Sequence, residues 1–153
     1  MIIRPTTEAD IAALQAVVDG AELFPSEMLP DMVGGFLAGD DDDDALWLTC
    51  ESEGAAVGFC FAKAEQLADG TWNMLAIAVE PAMQGHGFGR AIVGQLEADL
   101  AGQGVRVLIA DTSGTDAFAK TRAFYRGCGY SEEARIRDFW AAGDDKVVFW
   151  KRL

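Results

Sequence analysis

The chain has 153 residues, half of them hydrophobic and 24% charged, a composition typical of one globular domain. Acidic residues outnumber basic ones by 25 to 12, and the formal net charge is −13. The negative electrostatic field of such a protein repels phosphate backbones, which argues against nucleic acid as a partner. The charge indicates either solubility alone or a cationic substrate.

Three cysteines, Cys50, Cys60 and Cys128, are scattered and show no C-x-x-C spacing. This pattern predicts reduced thiols instead of a disulfide or zinc framework, and hence a cytoplasmic location. No apolar run approaches the roughly 20 residues of a membrane span, and the first residues lack the features of a signal peptide. We therefore expect no membrane partner.

The N-terminal part predicts a short strand followed by two helices. The strand covers 2–4, and Thr7 caps the first helix with Asp10 in a capping-box position. This helix ends near Gly20. The second helix is predicted over 26–37, broken or bent near Pro30 and the following glycines. The acidic run 40–44 then predicts a solvated loop. A metal site is the alternative, but the run lacks the interleaved glycine and the distal glutamate of a calcium-binding loop.

The middle of the chain predicts three antiparallel strands. Segments 45–50 and 56–61 are rich in β-formers and are joined by a turn at Glu53-Gly54. A second turn at Asp69-Gly70 leads into the strand 72–79. Short turns between such segments are typical of a meander.

The C-terminal part alternates helices and strands. A helix is predicted over 89–101, a strand covered on both faces over 105–110, and a helix over 115–126. The strands 130–139 and 146–151 follow. The chain is thus expected to be one domain over 1–153, with an α/β fold and a mixed, largely antiparallel sheet of about seven strands with about four helices on its two faces.

The segment 75–90 is the part of the chain that indicates chemistry. A strand ends, a turn with Gly85, Gly87 and Gly89 follows, and a helix begins. Alternating glycines leave backbone N–H groups uncovered, and the positive end of the helix dipole supports them in binding an anion such as a pyrophosphate.

A dinucleotide-binding reductase is the competing interpretation, since Asp111 ends the next predicted strand where a ribose-binding acid would lie. Against it, the glycines form G-x-G-x-G, and Glu80 to Gln84 separate strand and turn by more than the tight turn allows. The chain after Asp111 is also too short for a full doubly wound sheet.

The residues from Gln84 to Gly89 resemble the Q/R-x-x-G-x-G/A signature of the GNAT superfamily of acyl-CoA N-acetyltransferases. The segment 123–130, Ala-Phe-Tyr-Arg-Gly-Cys-Gly-Tyr, is similar to the A-x-x-F-Y-x-x-x-G-F/Y segment of the same family. The element order also matches from end to end. The resemblance implies the GNAT fold and transfer of an acetyl group from acetyl-CoA to a primary amine, on a small molecule or a peptide, by direct attack and without a metal.

The resemblance also implies roles for individual residues. The preceding strand, splayed by a bulge, would pair with pantetheine and polarise the acetyl carbonyl through Ile77, Ala78 and Val79. Tyr125 would protonate the departing thiolate. The pyrophosphate would be held by the backbone of Gln84, Gly85, His86, Gly87, Phe88, Gly89 and Arg90.

The base that removes the proton of the acceptor is left open. An alkylammonium has a pKa of about 10.4, so a base or a water path is required. Glu80 is the candidate at the strand end, and Glu22, Glu27 or Asp111 acting through water are alternatives. Asn73 stands where histone acetyltransferases of the family carry a glutamate, which argues against a histone-like substrate.

The sequence is compatible with two alternatives on activity and assembly. A domain that binds acyl-CoA without catalysis would keep the glycine turn, although the presence of Tyr125 favours an enzyme. Homodimers are common in the family, and the sequence neither predicts nor excludes one here.

His86, the single histidine, lacks partners for a metal site.

Overall fold

The computed structural model describes residues 1–40 and 44–153. The described residues form seven strands: β1 (Ile2–Pro5), β2 (Ala45–Ser52), β3 (Ala55–Ala64), β4 (Thr71–Val79), β5 (Val107–Ser113), β6 (Ser131–Ala141) and β7 (Asp144–Arg152). The α-helices are α1 (Ile11–Gly20), α2 (Leu29–Ala38), α3 (Phe88–Gly102) and α4 (Ala119–Gly127). Most of the predicted acidic loop, at 41–43, lies outside the described residues.

The strands form one sheet in the order β1-β2-β3-β4-β5-β7-β6. Of the pairs in this sheet, β4 with β5 is parallel and the others are antiparallel. The predicted element order and the mixed, largely antiparallel α/β sheet with four helices are therefore confirmed. A doubly wound parallel sheet, as the reductase interpretation requires, is not what these strands form.

Three predicted helices open with a 3₁₀ turn, so their α-helical part begins later than expected. In the first, which Thr7 caps, the turn Glu8–Asp10 precedes α1. The segment predicted from residue 26 starts with a 3₁₀ turn at Ser26–Met28, and α2 then runs unbroken past Gly34. The break at Pro30 was wrong, because a proline in the first turn of a helix gives up an N–H that has no partner there. The segment predicted from residue 115 likewise opens with a 3₁₀ turn, Asp116–Phe118, before α4.

Each face of the sheet carries its own core. On one face α1 and α2 pack over β2 and β3, where the ring of Trp47 stacks on Phe59 and Phe61. On the other face α3 and α4 cover a larger core that includes Ile92 and Tyr125. None of the helices in the described ranges is long and apolar enough to span a membrane.

Strand β5 is covered on one face, not on both as predicted. Leu108 and Ala110 point into the core under α3 and α4 and are fully buried. Ile109 and Asp111 alternate to the opposite face and are half-buried, because α1 and α2 do not extend that far along the sheet. The apolar sequence of β5 thus overstated its burial.

Strands β4 and β5 are paired over only part of their length. The parallel register runs from Thr71↔Val107 to Met74↔Ala110, and both strands then continue without pairing to each other. The register of β4 with β3 shifts between Phe61↔Ala76 and Ala62↔Met74, so Leu75 is an extra, bulged residue. We call the unpaired region between the two strands the fork.

An ion-pair network joins β1, the start of α1 and β2. The Arg4 guanidinium donates to both carboxylate oxygens of Asp10, at 2.7 and 2.8 Å, and to Glu51 at 3.1 Å. The Thr7 backbone N–H also donates to Asp10, at 2.8 Å, as the predicted capping box requires. These bonds to the charged form lower the pKa of Asp10 to about 2, with the Arg4 hydrogen bonds as the main cause.

We expect Asp10→Asn to lower the free energy of unfolding by roughly 2 kcal/mol at neutral pH, because a charge-assisted network is broken. Since the folded pKa is depressed from 3.8 to about 2, this contribution is present above pH 4 and is lost as the pH falls towards 2. Urea unfolding from pH 2.5 to 6 measures both effects. The control is Asp19→Asn on the exposed side of α1, and equal stability of the two variants would contradict the role of the network.

Candidate active site

The turn between β4 and α3 follows the predicted glycine segment. After β4 the chain forms a 3₁₀ turn at Pro81–Met83, and α3 begins at Phe88. Gly85 and Gly87 have φ of +79° and +87°, left-handed values that glycine adopts without strain. An added Cβ at either residue would meet no atom within 4 Å, so the outer side of the turn is open.

The backbone N–H groups of this turn are available to a ligand. The first bond that closes α3 is donated by Ala91 to the carbonyl of Gly87, at 3.0 Å. The N–H groups of residues 85–90 donate to no acceptor in the part of the chain that the structure describes. A helix N-terminus with such N–H groups has the chemistry of an anion site.

Side chains fix the turn against the end of β4. The Gln84 side-chain amide donates to the carbonyl of Val79 at 3.0 Å, and His86 Nδ1 lies 3.4 Å from the carbonyl oxygen of Met83. Gly58 on β3 allows the close approach of β4 and α3, because a Cβ there would lie 2.8 Å from the Ala78 oxygen. The importance of Gly58 was missed, although a glycine inside a strand indicates such close packing.

The predicted pantetheine-binding residues line the fork. Ile77, Ala78 and Val79 pair with β3 along one edge of β4. Their other edge faces β5, with which β4 no longer pairs after Met74. A chain of amide groups could therefore add to β4 as a further strand would.

Tyr125 on α4 lies under the sheet on the same face as α3. It is 4% exposed, and its ring lies 5.2 Å from that of Phe149 and 5.9 Å from that of Tyr130. Its hydroxyl makes no hydrogen bond to the described residues and, unlike the Tyr130 hydroxyl, is not sealed from solvent. Burial raises the pKa of Tyr125 well above its usual range, so the phenol is protonated at neutral pH.

The candidate bases lie in different places around the fork. Glu80 follows β4, donates its backbone N–H to Val57, and has an exposed carboxylate without a partner among the described residues. Glu22 and Glu27 are exposed in the α1–α2 loop, which reaches the same end of β4 because Gly20 packs on Pro81. The structure does not bring these carboxylates and Asp111 together.

A polar cluster at the base of the fork was missed as a unit. The Asn73 side-chain amide donates to Asp111 at 3.2 Å and to Glu65 at 3.0 Å. Lys146 forms an ion pair with the same Asp111 oxygen at 3.2 Å. Asn73, which cannot itself accept a proton, thus holds a carboxylate that can. Only the strand register could have revealed this, since these residues are far apart in sequence.

No group of three or more His, Cys, Asp or Glu side chains in the described ranges is arranged to hold a metal ion. The expected independence from metals stays a prediction.

Comparison with known proteins gives a consistent result. Residues 12–130 match the acetyltransferase (GNAT) family. The chain is 29% identical over 140 residues to aminoglycoside N(6')-acetyltransferase type 1 of Stenotrophomonas maltophilia, with 88% of each chain covered. A protein of the GNAT family from Desulfovibrio desulfuricans superposes with a TM-score of 0.91 at 27% identity, covering 99% of this chain and 98% of that one. Ribosomal-protein-alanine N-acetyltransferase from Brucella melitensis superposes with a TM-score of 0.81 at 25% identity, covering all of both chains.

Two glycines of α3 offer a matched test of the packing behind the turn. A Cβ on Gly89 would lie 3.2 Å from the ring of Phe124, whereas a Cβ on Gly94 would meet nothing. We expect Gly89→Ala to destabilise the protein by about 1 kcal/mol through overpacking. Gly94→Ala should stabilise it by about 1 kcal/mol through helix propensity. Chemical denaturation measures both, and changes of the same sign would contradict the packing argument.

Proposed function

The chain belongs to the acetyltransferase (GNAT) family and is an acetyltransferase, and from this premise we propose that it transfers acetyl from acetyl-CoA to a primary amine by direct attack. The observation that carries the proposal is the row of N–H groups over 85–90 beside the fork. Together they offer an anion site and, next to it, an unpaired strand edge along which an amide-containing arm can extend.

The donor is proposed to bind along these two features. The backbone of residues 84–90 holds the pyrophosphate, and pantetheine runs along the free edge of β4. A backbone N–H within 77–79 then donates to the acetyl carbonyl. A donor held by the protein frame in this way needs little reorganisation when charge develops on the oxygen.

The proposed reaction has one tetrahedral intermediate. The acceptor first loses a proton from its ammonium, with Glu80 as the proposed proton acceptor. The neutral amine attacks the thioester carbon, the C–N bond forms, and the carbonyl becomes an oxyanion stabilised by the strand N–H. The C–S bond then breaks, and the thiolate takes a proton from Tyr125. The nitrogen, which is positively charged after the attack, releases its extra proton through water, and this restores the Tyr125 phenol.

The environment of the cysteines supports direct transfer. Burial raises the pKa of Cys60 to about 12 and raises that of Cys50 and Cys128 as well. A thiol that stays protonated is a weak nucleophile, so an acetyl-cysteine intermediate is disfavoured. The same free thiols fit the cytoplasmic location that we also propose.

The identity of the acceptor does not follow from the relatives. The names of two of them refer to an aminoglycoside and to the alanine of a ribosomal protein, which are chemically different acceptors. Release of CoA measured over a panel of amines and peptides tests the proposed activity.

Gly85 and Gly143 make a matched pair for testing donor binding. Both have φ of +79° and both have open space around the missing Cβ, but Gly143 lies in the β6–β7 turn. We expect alanine at either position to cost about 1 kcal/mol of stability through backbone strain. Only Gly85→Ala should weaken acetyl-CoA binding, by about tenfold, because it disturbs the N–H groups of an anion site. Calorimetric titration measures this, and equal affinities in both variants would contradict the assignment.

Tyr125→Phe is expected to lower kcat by about a hundredfold while acetyl-CoA affinity stays unchanged, because only the proton donor is removed. Tyr130→Phe, at the other tyrosine of the chain, is the control and should keep its kcat. The measurement is steady-state CoA release with any acceptor found in the panel. Unchanged turnover of Tyr125→Phe would remove the residue from the mechanism.

A further inference from the structure

We propose that the acceptor is a primary amine with a single positive charge and an aromatic or large apolar group. It binds on the half of the sheet that no helix covers, on the face opposite α3 and α4. We call this surface the acceptor face and define it by Leu75, Asp111, Phe139, Trp140 and Lys146. The inference rests on the proposed acetyl transfer and adds the acceptor class to it.

The topology leaves one side of the fork open to the acceptor. Met74 and Ala110 point into the core under α3 and α4, where Tyr125 also lies. Because side chains alternate along a strand, Asn73 and Asp111 point to the opposite face. In the tetrahedral intermediate, the CoA sulfur that Tyr125 protonates and the attacking amine are bonded to the same carbon in different directions. The amine therefore reaches the fork from the side of Asp111.

Asp111 has the position and the free valence to hold an ammonium group. Since Glu80 lies elsewhere around the fork, Asp111 acting through water takes the proton of the acceptor in this binding mode, in place of Glu80. It is the first residue of β5 after the last pair with β4, so it stands where the fork opens. Its Oδ2 accepts from Asn73 and Lys146, while its Oδ1 is buried and has no donor among the described residues. The Oδ1 of Asn73, a residue 7% exposed, is a second such atom. Buried acceptors normally have donors, and an ammonium, which supplies three, can satisfy these oxygens once neighbouring side chains move aside to admit it.

Two aromatic side chains stand beside this carboxylate. Phe139 and Trp140 are 47% and 49% exposed, with ring centroids 4.7 Å apart in an edge-to-face arrangement. The Trp140 indole donates to the Thr112 carbonyl at 3.3 Å, which holds it at the end of β5. Leu75, the bulged residue of β4, is 53% exposed. An apolar body of the acceptor has a surface on which to pack.

Lys146 shows how the acceptor face binds a cation. Its Nζ lies 3.2 Å from Asp111 and 4.5 Å from the centroid of Phe139, between a carboxylate and a ring face. The same ammonium repels every positive charge that is brought to this partly buried place, so an acceptor with one charge is repelled least. The acidic protein as a whole attracts amines, and Lys146 disfavours those that carry several charges.

The test is a comparison of kcat/KM for CoA release with five acceptors: phenethylamine, tryptamine, spermidine, an aminoglycoside and an alanine-initiated peptide. We expect the two arylalkylamines to exceed the others at least about tenfold, the scale of one buried aromatic contact. Trp140→Ala and Phe139→Leu should raise KM for tryptamine by about tenfold without changing acetyl-CoA affinity. Phe118→Ala, at an exposed aromatic outside the acceptor face, is the control and should leave KM unchanged.

Variants that change a charge distinguish the binding of the ammonium from the packing of the apolar group of the acceptor. Asp111→Asn should abolish saturation by arylalkylamines, whereas Lys146→Met should raise the relative kcat/KM for spermidine by about tenfold. Thermal unfolding and acetyl-CoA titration of every variant verify the fold and the donor site.

Three results would overturn the inference while acetyl-CoA binding stands: preference for spermidine, the aminoglycoside or the peptide; unchanged tryptamine KM in both aromatic variants; or a dimer that Trp140→Ala converts to a monomer with unaltered kinetics. The last result would assign the acceptor face to a second copy of the chain. Failure to bind acetyl-CoA would instead remove the proposed function, and the inference with it.

Discussion

The separation of β4 from β5 is the constraint on which the rest of the site depends. The two strands are parallel neighbours for a few residues and then part, while β4 keeps its hydrogen bonds to β3 along the other edge. An unpaired edge inside a sheet is costly unless something covers or uses it. The bulge at Leu75 creates the divergence, since one extra residue bends β4 away from β5.

Packing around the fork keeps it in place. Glycines at 58 and 89 let β4, α3 and α4 approach more closely than any side chain would allow. The N-terminus of α3 is thereby held next to the end of β4, and the Gln84 amide ties the intervening turn to the last strand carbonyl. The proposed anion site and the strand edge are consequently parts of one rigid arrangement.

Much of this fold could be predicted because its signals are local. Alternating β-formers, turns such as Glu53-Gly54 and the glycine segment before α3 each fall within a short stretch of sequence. The break at Pro30 was wrong because the same residue type ends a helix or opens one, depending on where the first turn falls. The cluster of Asn73, Asp111 and Lys146 could not be predicted, since it depends on the register of three strands that are distant in the chain. Assignments of single residues to catalysis stay predictions.

The division of the sheet into two faces has a consequence for how such a protein can diversify. The residues beneath α3 and α4 belong to one core, and those beneath α1 and α2 belong to another. Substitutions at distant sites that share no partners act almost independently on stability. Changes on the side of α1 and α2 can therefore accumulate without disturbing the glycine turn. A lineage built on this architecture can change the acceptor that it binds while it keeps the same proposed donor-binding site.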